Sequence, residues 1–371
     1  MLPDVTLKSV GEAAPVAAPY TGPSVQTRDI SHAYSENLPF ILSQMRCSLV
    51  ISTYLTGNLV VVAAPQGRLT VTYHTFERPM GMALRPGWLA VGTRTQVWFL
   101  RNATDIAAKL EPRGRYDAAY LACTSYFTGN IECHELGWVG DEVWIVNTLF
   151  SCLCTCHPGY SFEPRWRPPF ISDLAPEDRC HLNGLAVADG QVRYVTAMSQ
   201  TDTRQGWRAV KVGGGCLIDV ASGEIVVRGL TMPHSPRIAD GKVYLLHSGF
   251  GSLVTADPAT GKWESIAQMP GYTRGLGIHG PLAFVGLSKL RATSVLEGVP
   301  IAAQRDNLKC GVVVIDLRSG QPVAFFEFTA GIDELFDVQV LPDTVCPLFS
   351  GPLAERDAGQ PLWTVPPQGG E

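Results

Sequence analysis

One short turn occurs three times in this sequence, as Asp219-Val-Ala-Ser-Gly223, Asp257-Pro-Ala-Thr-Gly261 and Asp316-Leu-Arg-Ser-Gly320. Each copy follows a β-branched run and precedes another short run. An Asp carboxylate accepts hydrogen bonds from the amides two and three residues on, and Gly supplies the positive φ that closes a hairpin. The same turn at the same place in successive units requires a repeated antiparallel module. The repeat predicts an all-β chain folded as a β-propeller, with its chemistry along the central axis.

Composition fits many short strands. A chain of 371 residues exceeds an average domain, but β repeat architectures reach that size as one unit. Gly 37 and Pro 27, with only 17% charged residues, suit tight turns. A net charge of −5 and a pI near 5.9 leave no basic footprint for nucleic acid or an anionic membrane. No apolar run reaches the roughly 18 residues of a transmembrane helix. The start, Met1-Leu-Pro-Asp, lacks the basic and apolar regions of a secretion signal. Ten cysteines in that setting read as reduced thiols of a cytoplasmic protein.

Residues 1–38 are rich in Ala, Pro, Ser and Thr without periodicity, and predict an N-terminal arm, flexible or surface-draped, with Tyr20 or Tyr34 as docking points. Residues 350–371 predict a C-terminal tail of the same character, and 39–349 the propeller. Five units are complete, with inner strands at Met80–Leu84, Glu135–Val139, Gly184–Ala188, Pro236–Ala239 and Arg274–Ile278. A sixth is split: Phe336–Leu341 has the inner-strand pattern with nothing after it, and Cys47–Thr53, Asn58–Ala63 and Arg68–Tyr73 lack an inner strand before them. Pairing the two ends closes a six-bladed ring and removes exposed sheet edges. Two insertions, Met198–Gly213 and Ser288–Lys309, leave the second strand of their unit and return at the third, a length typical of lids. Arg165–Arg179, with arginines flanking Trp166, reads as packing of a long connection or as a ligand contact.

Aligning the inner strands on their closing turns superposes His134, Asn183, His234 and Thr273, with Asp337 and Met80 near the same level. Equivalent inner positions converge on the channel. Two imidazoles, a carboxylate and an amide suit a divalent transition metal (Fe, Mn, Zn or Ni) held by His134, His234, Asp337 and Asn183. Calcium is disfavoured because His is a poor ligand for it. The competing reading is that each His bonds a neighbouring backbone group and fills the channel. His181, two residues before Asn183 and on the same strand face, is a third nitrogen ligand or a proton shuttle. Glu135 and Glu334 are candidate partners for ligand imidazoles. Arg274 either clamps an anionic substrate group or pairs with Asp337 or Glu334. Catalytic roles are thus expected for His181, Arg274 and Glu135.

The run Cys152-Leu-Cys154-Thr-Cys156-His157 suggests a metal motif, but in a strand its sulfurs step along one face about 6–7 Å apart and cannot close a tetrahedron. Cys152 and Cys180 are alternative thiol nucleophiles, provided a neighbour depresses their pKa. No Gly-rich phosphate loop, His-Glu-x-x-His or Gly-x-Ser-x-Gly is present.

The segments Asn147-Thr-Leu-Phe-Ser-Cys152, Arg165-Trp-Arg-Pro-Pro-Phe-Ile, Arg179-Cys-His-Leu-Asn-Gly184, Met232-Pro-His-Ser-Pro-Arg237 and Phe336-Asp-Val-Gln339 resemble a bacterial family of uncharacterised proteins with a propeller-like domain of unknown function. The resemblance spans most of residues 40–345 and implies the fold, not an activity. More remotely, the six-unit plan is similar to the strictosidine synthase, gluconolactonase and NHL-repeat group, whose members often hold a metal or substrate at the axis. The calcium-dependent lactonases of that group use Glu and Asn ligands, whereas His dominates here. Three classes follow: a metal-dependent enzyme acting on a small molecule or peptide at the axial mouth, a metal-free module binding a protein or small ligand, and a thiol enzyme.

Overall fold

The computed structural model describes residues 29–290, 296–357, 359 and 362–366. Six sheets radiate from one axis, and the inner strands touch one another in a closed ring. The first blade takes its inner strand, Asp337–Pro342, from the C-terminal end of the chain and the other three (Cys47–Thr53, Asn58–Ala63, Thr70–Thr75) from the N-terminal end. Inner strands Met82–Arg85, Cys133–Val139, Leu182–Ala188, Pro233–Ala239 and Tyr272–His279 open the second to sixth blades. The predicted six-bladed propeller, closed by strands from both ends, is what the chain forms.

The three repeated turns behave as their chemistry requires. Ser222 N donates to Asp219 Oδ1 at 2.9 Å, and Ala259 N and Arg318 N donate to Asp257 and Asp316 at 2.9 Å. Gly223, Gly261 and Gly320 take φ of 73°, 72° and 70°, a region costly for any residue with a Cβ. Each joins the third and fourth strands of its blade.

Strand alternation sends side chains to both faces of each blade, and the core therefore lies between blades rather than inside one. Six apolar clusters fill the six clefts; that between the sixth and first blades holds Leu49, Ile51, Val60, Phe284, Val312 and Phe326. Truncating such a side chain, Phe284→Ala for example, costs about 3–5 kcal/mol.

Both ends of the propeller carry strands that the sequence reading did not assign. Ser31–Tyr34, expected in an arm, pairs antiparallel with Gln321–Ala330 as a fifth strand of the sixth blade, and Tyr34 lies on it. The helix Leu38–Gln44 then drops Leu38 and Leu42 into the sixth–first cleft. Tyr20 lies outside the described residues. At the other end, Pro347–Ser350 runs parallel to the outer strand of the second blade. The tail beyond is pinned where Asp357 accepts from Thr75 N and Oγ1 at 3.0 and 2.6 Å. Among the described residues, no helix is long and apolar enough to cross a membrane.

Candidate functional site at the axial mouth

A backbone device recurs where the inner strands begin. Arg78, Glu132, His181 and Met232 have φ of 49°, 52°, 51° and 52°, and each stands two residues before an aligned position: Met80, His134, Asn183 and His234. Left-handed backbone at non-glycine residues is uncommon and costs of order 1–3 kcal/mol each. The inner strands of the third to sixth blades also carry register irregularities between 133 and 136, 182 and 184, 234 and 237, and 273 and 276. Such bulges re-aim side chains, here just where the strands meet the axis.

The device fixes the imidazoles. Nδ1 of His134 lies 3.1 Å from the carbonyl of Glu132 and 2.8 Å from Thr148 Oγ1. Nδ1 of His234 lies 3.0 Å from the carbonyl of Met232 and 2.9 Å from Ser248 Oγ. A carbonyl can only accept, so Nδ1 carries the hydrogen in both rings. The Thr148 hydroxyl spends its own proton on the carbonyl of Leu182, which leaves its oxygen to accept from His134. Nε2 is therefore the lone-pair nitrogen of each ring. Burial first, and then the Arg274 guanidinium and the neighbouring His181 ring, hold the pKa of both imidazoles well below the usual range, so both are neutral at pH 7. The partners of these rings are backbone carbonyls and hydroxyls rather than Glu135 or Glu334.

His134, Asn183, His234 and Asp337, brought together by alignment, line one void of about 10 Å³ with Glu135, Ser235, Arg274 and Phe336. That is room for one water or ion. Their capacities differ. Asn183 is engaged at both ends of its amide, donating to Pro233 O and accepting from Thr196 Oγ1, each at 2.8 Å. Asp337 accepts from the amides of Met82 and Val338 and from Gln339 Nε2, at 2.9, 2.8 and 3.0 Å. Thr273 is fully buried, and its hydroxyl has no partner among the described residues.

Beneath the void lies a charge cluster that the sequence reading missed. Arg237 ion-pairs with Glu135, donates from Nε to Leu276 O at 2.8 Å, and lies 3.8 Å from Asp337. Glu135 also accepts from Leu185 N at 3.2 Å. With Met82 N on Asp337, the cluster touches all six blades. Burial raises the Glu135 pKa to about 7, against the opposing pull of Arg237. The signal was present: three residues beyond each aligned position stand Gly137, Ala186, Arg237 and Leu276, and the lone charge in that column is Arg237.

A larger cavity of about 360 Å³ shares His134, His234, Arg274 and Phe336 with the small void. Its walls include Met80, Met198, Trp207, Tyr272, Leu290 and Leu296. Both insertions thus reach the mouth, and their apolar residues join Met232 and Tyr272 in one buried cluster. Residues 291–295 of the second insertion lie outside the described residues. His181 does not share a strand face with Asn183. It precedes the strand in left-handed backbone and donates from Nδ1 to Asp178 Oδ1 at 2.8 Å. Its ring lies 4.8 Å from that of His134 and 4.4 Å from Trp207. Donor atoms of Glu132, Asp178 and His181 lie within 4.8 Å of one another. The guanidinium of Arg274 stacks 3.4 Å over Phe336 and lies 3.9 Å from Glu334.

Residues 36–349 match the family described as "Domain of unknown function (DUF4915)". The chain belongs to this family. No curated protein matches. Among solved structures, a chain of "Crystal structure of Nidogen/Laminin Complex" is similar at 8% identity and a TM-score of 0.48, over 80% of this chain and 98% of that one.

Four of the five segments that suggested such a family build the axial mouth. They supply Thr148, His181, Asn183, His234, Arg237, Phe336 and Asp337. The fifth packs: Arg165 pairs with Glu142 at 2.8 Å, and Phe170 and Ile171 enter the third–fourth cleft. The Cys152–Cys156 run lies on a strand with Cys152 and Cys154 in the second–third core. Cys180 is buried, and its thiol is pushed up to about 12 by desolvation. Neither Cys152 nor Cys180 has the exposure that a thiolate nucleophile needs.

Proposed function

We propose that the axial mouth is a metal-dependent catalytic site acting on a small molecule or the end of a peptide. The observation that carries this reading is the pinning of His134 and His234. Each gives Nδ1–H to a fixed oxygen and keeps Nε2 as a lone pair, beside an ion-sized void. Metal-binding imidazoles are held in this way, with the second nitrogen tied to a carbonyl or carboxylate. Their suppressed ionisation keeps the lone pairs available at neutral pH.

Iron, manganese, zinc or nickel fits two imidazole nitrogens, and Asp337 and Asn183, with their polar atoms largely engaged, would adjoin the ion more readily than complete its sphere. The ion would supply Lewis-acid polarisation of a substrate oxygen. His181 would accept or return a proton. Arg274 would exchange Glu334 for an anionic substrate group, and Glu135 would hold Arg237 beneath the ion. A cavity of about 360 Å³ is at the small end of ligand sites. One observation favours the second reading, a metal-free binding module: Arg274 lines the same small void and opposes a cation there.

Elemental analysis of tag-free protein, expressed with all four metals supplied, separates the two. Stoichiometric metal in the wild type is expected, lost in His134→Asn and His234→Asn, which keep a donor near Nδ1 but remove Nε2. Melting temperatures beside the wild type check that the blades stay folded. A wild type free of metal would reject the enzyme reading.

A further inference from the structure

We propose that Asp178 is a positioning residue that holds His181 in its Nδ1–H tautomer, making Nε2 of His181 the proton acceptor of the axial cavity. Trp207 of the Met198–Gly213 insertion belongs to the same unit. This inference rests on reading the cavity as a reaction site.

Asp178 is only 5% exposed, and its carboxylate serves two donors. Oδ1 accepts from His181 Nδ1 at 2.8 Å, and Oδ2 accepts from the Trp207 indole at 2.7 Å. Its amide donates to Leu149 O at 2.8 Å, which ties the loop to the third blade. Asp178 and His181 both adopt left-handed backbone, with φ of 48° and 51°. Two such residues three apart persist only where the surroundings hold them. The imidazole is then wedged between Trp207 and His134. The charged or titratable groups around it include Glu132, Asp178, His134, His234, Arg208 and Arg274, all lining the same cavity.

The chemistry turns on a count of acceptors. Indole N–H can only donate, so two donors converge on Asp178, and a carboxylate has an oxygen for each. An asparagine has one acceptor oxygen and one amide that donates. In Asp178→Asn the oxygen must serve either Trp207 or His181. Serving His181 would set the amide hydrogens against the indole N–H, so the oxygen turns to Trp207, the amide faces Nδ1, and the imidazole hydrogen is forced onto Nε2, which removes the base from the cavity. Deleting the competing donor as well, in Asp178→Asn with Trp207→Phe, releases the oxygen and restores Nδ1–H.

Nitrogen chemical shifts of ¹⁵N-histidine-labelled protein, with His181 identified by its absence in His181→Gln, report the tautomer directly. The wild type is expected as Nδ1–H, Asp178→Asn as Nε2–H, and the double variant as Nδ1–H again. Acylation of His181 by diethyl pyrocarbonate, which needs the lone pair in the cavity, should slow at least about tenfold in Asp178→Asn and recover in the double variant. Glu132→Gln should leave the tautomer unchanged. Asp178→Glu, which keeps two acceptors, serves if Asp178→Asn does not fold. An Nε2–H wild type, no tautomer change in Asp178→Asn, failure of Asp178→Glu to retain Nδ1–H, or a change in Glu132→Gln would overturn the proposal. These readouts do not depend on metal content, so failure here is distinct from failure of the metal reading.

Discussion

Arg237 is a charged side chain in the middle of a propeller channel, and its worth depends on which partner is removed. Arg237→Met leaves Glu135 and Asp337 facing one another in a buried site, and breaking such a pair costs about 3–5 kcal/mol. Replacing Glu135 and Arg237 together with apolar residues should recover part of that loss, because Asp337 alone then remains, held by its three hydrogen-bond donors. Urea unfolding of the single and double variants measures both; a double variant no more stable than Arg237→Met would show that the cluster's hydrogen bonds to other blades dominate. Residues such as Arg237 are hard to read from sequence because their partners come from other blades. His134 and His234 were legible for the opposite reason: a repeat marks them, and turn chemistry fixes the offset at which to compare them. Asp178 lay between these cases, three residues before His181, with nothing in the repeat to mark it.

At the scale of strands, the inner strand of the first blade has a role that no outer strand shares. Deleting 336–341 removes Asp337, opens the ring and strips a face from two clefts, so the domain should unfold. Of the described residues, removing the chain before residue 36 takes away the exposed strand Ser31–Tyr34, its neighbour Ser35 and Ile30 at the margin of the sixth–first core, and should lower the melting temperature while leaving a cooperative transition. Circular dichroism melts of both truncations test the contrast, and a folded, cooperative 336–341 deletion would contradict the closure argument. Five of the six inner strands could be found in the sequence because six to eight residues with a closing turn carry a pattern, and the four-residue Met82–Arg85 because the Pro86-Gly87 turn and the strand Trp88–Gly92 follow it at once. Ser31–Tyr34 and Pro347–Ser350 are four residues each, too short for alternation to register. Their pairing is set by distant partners: Ser31 meets Thr329 across 298 positions of chain.

For the molecule as a whole, buried imidazoles set the response to acid. His74 and His247 are held near 4 by desolvation, against an ordinary 6.5, and His134 and His234 lie well below that value too. Below pH 6.5 the unfolded chain binds protons that the folded one refuses, so stability present above that pH is lost as pH falls towards 4. Each group contributes up to about 1.4 kcal/mol per pH unit across its window. Glu135 works the other way: its raised pKa stabilises below its ordinary 4.5 and is lost as pH rises to about 7. Burial raises Glu132 and Asp357 in the same sense, and four imidazoles outweigh three carboxyls, so the melting temperature should fall from pH 6.5 to 5. A flat profile over that range would count against neutral, buried rings.

The split first blade also bears on time. Ser52 meets the amide of Asp337 across 285 positions, so during synthesis the second to sixth blades must wait beside an open ring until the last inner strand emerges. An intermediate with the inner edge of Cys47–Thr53 unpaired is prone to aggregate, and contacts of such long range slow folding. The clasp that steadies the finished ring therefore makes its completion the vulnerable step, with Ser31–Tyr34 and Pro347–Ser350 fastening neighbouring blades across the seam as it closes.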